Sequence, residues 1–138
     1  MTSALTPSES ASLLYPWPEN LEIKTYSGSC HCKAVSFEIQ HPDIDKMTLF
    51  KCNCSICVDR GYVNVLTPES RFKFTKGSAE DLTGYAFGAK KVIHRFCSTC
   101  GTTIGALGKG FVVVNTRTLE NVDTDKLETM PVDGKSRV

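Results

Sequence analysis

All seven cysteines of the chain sit in three short segments: Cys30-His31-Cys32, Cys52-Asn53-Cys54-Ser55-Ile56-Cys57 and Cys97-Ser98-Thr99-Cys100. Sulfur at such spacing either oxidises to disulfides or ligates a metal. An odd number leaves one thiol over in any all-disulfide scheme, and a reducing compartment disfavours disulfides in the first place. Cysteines used only as small buried hydrophobes would scatter along the chain. Clustering therefore points to metal ligation, and to zinc, which favours tetrahedral sulfur shells. On a strand, residues i and i+2 face one side, so Cys30/Cys32 and Cys52/Cys54 can each converge. Cys54-x-x-Cys57 and Cys97-x-x-Cys100 read as tight turns that converge two thiolates, and Gly101 supplies permissive backbone after the second. Seven thiolates divide as four plus three, one closed site and one open. A closed site holds structure. An open one leaves a coordination position in which a metal polarises a carbonyl oxygen or takes a thiol as its thiolate.

Spacing alone leaves two ways to choose the four. Cys54/Cys57 with Cys97/Cys100 would mimic a zinc ribbon. Cys30/Cys32 with Cys97/Cys100 would leave Cys52, Cys54 and Cys57 together, and the contiguity of that triad favours this second division. His31, His94 or a remote aspartate could still complete the triad's shell and make it structural. His94, three residues before Cys97, is a candidate for orienting a ligand or exchanging a proton; the plainer role is to satisfy a backbone group. His31 lies between two ligands and points away from the metal they share. His41, just before Pro42, reads as a surface turn. Lys33, Lys51, Arg60 and Arg95 flank the cysteine groups and could offset thiolate charge, or simply be solvated strand-end charges.

The elements that must position these groups read as mainly β. "KAVSFEIQ" alternates, with Val35, Phe37 and Ile39 on the apolar side. "MTLFKC" and "GYVNVL" are expected strands around the triad, "RFKFTKG" stops at Gly77, and "LTGYAF" with "KKVIHRFC" straddles a Gly-Ala-Lys turn as a hairpin. "FVVVNTRTL" is apolar and β-branched, as a central strand would be. Helix signals are few: a turn near Thr67-Pro68 and a short helix or turn within "NVDTDKLETM". At 138 residues the chain suits one domain. Residues 1–22 read as a mobile or loosely docked arm that Tyr15 and Trp17 could pin, residues 23–130 as the domain, and residues 131–138 as a frayed tail. With 16 basic and 15 acidic residues the net charge is +1, which gives no electrostatic case for a nucleic-acid or membrane partner. The N-terminus lacks the pattern of a secretory signal, so the expected location is cytoplasmic, with the nucleus as the alternative.

Taken together, "GSCHCKAVSFEI", "CNCSIC" and "RFCSTCG", in that order over roughly residues 24–120, resemble the glutathione-dependent formaldehyde-activating enzyme family, which also includes centromere protein V. The resemblance implies a β-tent fold of small antiparallel sheets leaning together over zinc. It implies two zinc ions per chain: a structural one on Cys30, Cys32, Cys97 and Cys100, and a catalytic one on Cys52, Cys54 and Cys57. The implied activity joins glutathione to formaldehyde, a carbon–sulfur lyase when read in reverse, with a small-molecule thiol and a carbonyl as partners. Two positions depart from the family's pattern: Lys33 stands where glycine is usual, and Asn53 where histidine is common. No motif marks glutathione-binding residues. The alternatives are an enzyme acting on another thiol conjugate or biosynthetic intermediate, and a non-enzymatic zinc-stapled interaction module.

Overall fold

The computed structural model describes residues 5–13, 17–88, 90, 92–133 and 135–137. Tyr15, and Ala89 of the Gly-Ala-Lys turn, lie outside the described residues. No helix among them is long and apolar enough to cross a membrane.

The fold is mainly β and holds two sheets. The smaller is built from β1 (Ile23–Ser29), β2 (Ser36–Pro42) and β5 (Phe72–Lys76) in that order, both pairs antiparallel. β2 forms for the reason its sequence suggests. Val35, Phe37 and Ile39 are almost wholly buried, while Ser36 and Glu38 stay half-exposed and Gln40 faces solvent. His41 continues the buried phase at 1% exposure and pairs with Lys24, so it is a core residue of the strand and not a surface turn. Register decides this, since residues 37, 39 and 41 share one face.

The larger sheet has seven strands. Its order is β10 (Thr129–Val132), β3 (Leu49–Cys52), β4 (Asn64–Pro68), β9 (Phe111–Asn115), β8 (Thr103–Leu107), β7 (Ile93–Cys97) and β6 (Leu82–Tyr85). β9 is central, as its composition suggests. Gly105 lets β8 approach it closely, because a Cβ there would fall 1.8 Å from the Val113 carbonyl oxygen. One pair departs from the antiparallel expectation: β10 runs parallel to β3, so Pro131 and Val132 extend the sheet instead of fraying. The two sheets enclose a core that includes Phe37, Ile39, Ile44, Leu49, Val65 and Val114. Each such side chain contributes about 1.5–3 kcal/mol by burial. Cys30 and Cys97 belong to this same core, at 1% and 2% exposure.

Two short helices go beyond what the sequence patterns suggest. α1 (Pro7–Ser12) starts at an N-cap Thr6 with a reciprocal capping box to Glu9, the S/T-x-x-E signature. Glu9 then accepts from Arg71 Nε at 3.0 Å and Ser70 Oγ at 2.8 Å. The Trp17 indole N–H donates to the Leu66 carbonyl at 2.8 Å. α2 (Ser55–Arg60) begins at Cys54 as N-cap and ends on Gly61 at φ 68, a conformation that favours glycine. The proline turn is a 3-10 turn over Glu69–Arg71 capped at Pro68 and not at Thr67, whose hydroxyl donates to the Gln40 carbonyl at 2.8 Å.

Candidate functional site

The first sulfur group is assembled by two turns at the ends of strands. Cys30 follows β1 and Cys97 closes β7. Cys32 and Cys100 lie in the turns beyond them. All four sulfurs lie within 4.8 Å of one another. Cys30 and Cys32 are 3.7 Å apart, and so are Cys32 and Cys97. A tetrahedron with 2.3 Å zinc–sulfur bonds has edges of about 3.8 Å, so the donor set matches zinc in chemistry and in size. The convergence of Cys30 and Cys32 comes from a turn and not from strand alternation: the Lys33 N–H donates to the Cys30 carbonyl at 3.3 Å. Backbone N–H groups of Val35 and Thr99 point at the sulfurs of Cys30 and Cys97, each at 3.4 Å. The Thr102 hydroxyl, 3.3 Å from Cys100, with nearby backbone donors, lowers the Cys100 pKa to about 5. Backbone donors from Cys100 and Thr99 pull Cys97 down as well.

Lys33 closes the first turn at φ 67. That left-handed backbone suits glycine and strains other residues. Gly101, at φ 79, performs the corresponding service after Cys100.

The second sulfur group gathers Cys52, Cys54 and Cys57 within 4.8 Å. Cys52 ends β3, Cys54 caps α2 and Cys57 sits in its first turn. Here too convergence is a strand-to-helix junction, with the Cys54 N–H donating to the Cys52 sulfur at 3.5 Å. Burial pushes the thiols of Cys54 and Cys57 upward, so it is a bound cation's charge that would hold them as thiolates. Among the described residues no fourth cysteine, histidine or carboxylate joins this triad. Neither His31, exposed and tied through its backbone N–H to the Thr102 hydroxyl at 3.2 Å, nor His94 belongs to either sulfur group.

His94 stands one ring away. It stacks on Tyr62 at 6.1 Å and on Phe87 at 5.7 Å, and those two aromatics pack with the triad cysteines. Its Nδ1 is buried with no hydrogen-bond partner among the described residues, so it does not satisfy a backbone group through that atom. Burial, and next the Arg60 charge, hold its pKa below the ordinary value. Asn64 lies under the triad: its amide nitrogen is 4.0 Å from the Cys57 sulfur, and its buried Oδ1 has no partner among the described residues.

Asn53, between two of the sulfurs, holds the C-terminal segment. Its Nδ2 donates to Asp133 at 3.0 Å, its Oδ1 accepts from the Lys135 N–H at 2.9 Å, and its own N–H reaches the Val132 carbonyl at 3.0 Å. Of the four flanking cations, Lys33 reaches Ser29 Oγ at 3.0 Å and Lys51 is exposed. Arg95 carries a buried Nε without a described partner, and Arg60 leans over Phe96 with its guanidinium carbon 5.2 Å from the ring centroid. Sequence reasoning misses Tyr62, Phe87 and Asn64. In the sequence Tyr62 and Asn64 are only members of an expected strand, and nothing local distinguishes a strand aromatic from the wall of a site.

Comparison with known proteins places the chain in a family. The family profile described as glutathione-dependent formaldehyde-activating enzyme matches residues 25–131, and that span contains all seven cysteines. Among solved structures, a Rhodobacter sphaeroides protein determined by structural genomics is similar at 30% identity and a TM-score of 0.66. The match covers 75% of this chain and 99% of that one.

Proposed function

The chain belongs to the glutathione-dependent formaldehyde-activating enzyme family, and from that premise we propose that it is a zinc-dependent enzyme of the carbon–sulfur lyase type, joining a thiol such as glutathione to formaldehyde or another small carbonyl. The observation that carries this reading is a cluster of three sulfurs, joined by no fourth cysteine, histidine or carboxylate among the described residues, beside an aromatic wall that holds an imidazole nitrogen without a partner among those residues. Four sulfurs suit a structural ion and three suit a reactive one. Zinc held at Cys52, Cys54 and Cys57 would supply Lewis acidity toward a carbonyl oxygen or a thiol sulfur.

The rest falls to the chain's own groups. Addition forms one carbon–sulfur bond, breaks the carbonyl π bond and moves the thiol proton to oxygen, with no change of oxidation state. His94, held neutral near pH 7, can accept that proton at a ring nitrogen and return it to the oxygen. Tyr62 and Phe87 stack on the ring and fix its orientation. Because the addition also proceeds unaided, the protein's contribution is orientation and polarisation.

NMR exchange spectroscopy on mixtures of glutathione and formaldehyde measures the interconversion directly. The wild-type protein is expected to accelerate it, Cys54→Ser to return it to the unaided rate, and His94→Gln to lower the acceleration by about 100-fold. A folded Cys54→Ser variant that accelerates as well as wild type would remove the triad from the reaction.

A further inference from the structure

We propose that Arg60 forms a carboxylate-binding subsite beside the cysteine triad and that it selects thiol substrates bearing an acid group; this rests on the thiol-adding reaction above. Arg60 is the last residue of α2, three positions after Cys57, so the two side chains rise from one face of the same helix. Its Nη1 donates to the Tyr62 hydroxyl at 3.4 Å and to Thr103 Oγ1 at 3.2 Å, and its Cζ lies over the Phe96 ring, 5.2 Å from the centroid. Tyr62 packs against the triad and stacks on His94. The guanidinium is therefore solvent-accessible yet tethered through Tyr62, the residue that packs with the sulfurs and stacks on the imidazole.

What it is fixed for follows from what it does not touch. Arg71 turns its fork on Glu9, and Arg117 meets Asp125 at 3.2 Å. Arg60 has no carboxylate partner among the described residues, and only Nη1 of its three nitrogens is engaged. The remaining N–H groups keep the planar fork that receives a carboxylate in bidentate fashion. A preset cation with its fork unspent, next to a candidate thiol site, is a receptor for an anion carried by the thiol. A peptide carboxylate one residue from a cysteine sulfur lies within roughly 7 Å of it, so a thiol held at the triad carries its acid group into the surroundings of that metal site. Glutathione, in the family's own description, carries such carboxylates and no phosphate, so carboxylate is the chemistry we assign.

The test compares glutathione with its diethyl ester, which keeps the thiol and removes both negative charges. Binding to wild type, Arg60→Ala and Arg60→Lys is measured by calorimetry on the metal-loaded protein, with thermal transitions recorded for each variant. Wild type is expected to bind the acid roughly 10- to 100-fold more tightly than the ester. Arg60→Ala should abolish that preference by weakening the acid alone, and Arg60→Lys should retain a fraction of it. Equal weakening of both ligands in Arg60→Ala would mean the arginine only packs α2, and equal affinity of wild type for both ligands would overturn the subsite without any variant. Exchange spectroscopy run in parallel separates the two ideas. A wild type that accelerates thiol addition without discriminating acid from ester refutes the subsite alone. One that discriminates through Arg60 but accelerates nothing refutes the reaction and leaves the subsite standing.

Discussion

Lys33 and His41 show what single residues carry. A non-glycine residue in left-handed backbone costs about 1–2 kcal/mol, partly offset by the greater freedom glycine has in the unfolded chain. Lys33→Gly is therefore expected to raise stability by about 1 kcal/mol, read as a higher denaturant midpoint at unchanged slope. The substitution also removes the hydrogen bond from Lys33 to Ser29, which is exposed and contributes little. His41 is enclosed against Trp17, with ring centroids 5.3 Å apart, and its Nδ1 donates to the Pro42 carbonyl at 2.8 Å. Burial lowers its pKa to about 4 from an ordinary 6.5. Between those values the unfolded chain binds a proton that the folded one refuses, so this group costs nothing above pH 6.5, lowers stability as pH drops from 6.5 to 4, and adds no further pH dependence below that, where the loss is complete. Urea unfolding across that window should show wild type losing on the order of 3 kcal/mol relative to His41→Leu. A parallel decline in the two proteins would assign the acid sensitivity elsewhere.

At the scale of elements, every sulfur pair is set by a junction. β1 and β7 each run into a turn that aims two cysteines, and β3 runs into α2 to aim three. β10 locks the last of these junctions from outside, pairing with β3 and bonding Asn53 through the segment that follows it. Asn53→Ala should release that segment. Amide exchange at Lys135 is expected to accelerate while exchange in β9 stays protected, and metal affinity at the triad should fall about tenfold as its support loosens. Unchanged exchange at Lys135 would show that the parallel pairing alone holds the tail. α1 is docked in a similar manner, through Glu9 and Arg71.

At the scale of the whole molecule, the four-sulfur group brings together segments that leave the two sheets, which a chain of 138 residues must hold with a modest core. Cys30 leaves the small sheet, Cys97 ends a strand of the large one, and both are core residues. A structural zinc there would contribute on the order of 10 kcal/mol to folding. Elemental analysis is expected to find two zinc ions per chain, and stripping both with a chelator should abolish the cooperative thermal transition. Persistence of that transition in metal-free protein would show that hydrophobic packing suffices.

The mainly β class was legible in the sequence because alternation along "KAVSFEIQ" and the β-branched run at Phe111–Asn115 are local signals. So was the division of seven thiolates into four and three, since the contiguity of Cys52, Cys54 and Cys57 is itself a spacing. The Thr6–Glu9 capping box is equally local, yet it lies in a stretch whose weak periodicity reads as an arm. Tertiary structure alone decided the rest. Cys32 and Cys97 lie 65 residues apart and meet at 3.7 Å; the pattern of each segment states that its sulfurs converge, not which other segment they meet. The wall of Tyr62, Phe87 and His94, the unspent fork of Arg60 and the burial of His41 arise where strands distant in sequence are set side by side. That juxtaposition follows from the packing of whole sheets, and no stretch of sequence a few residues long encodes it.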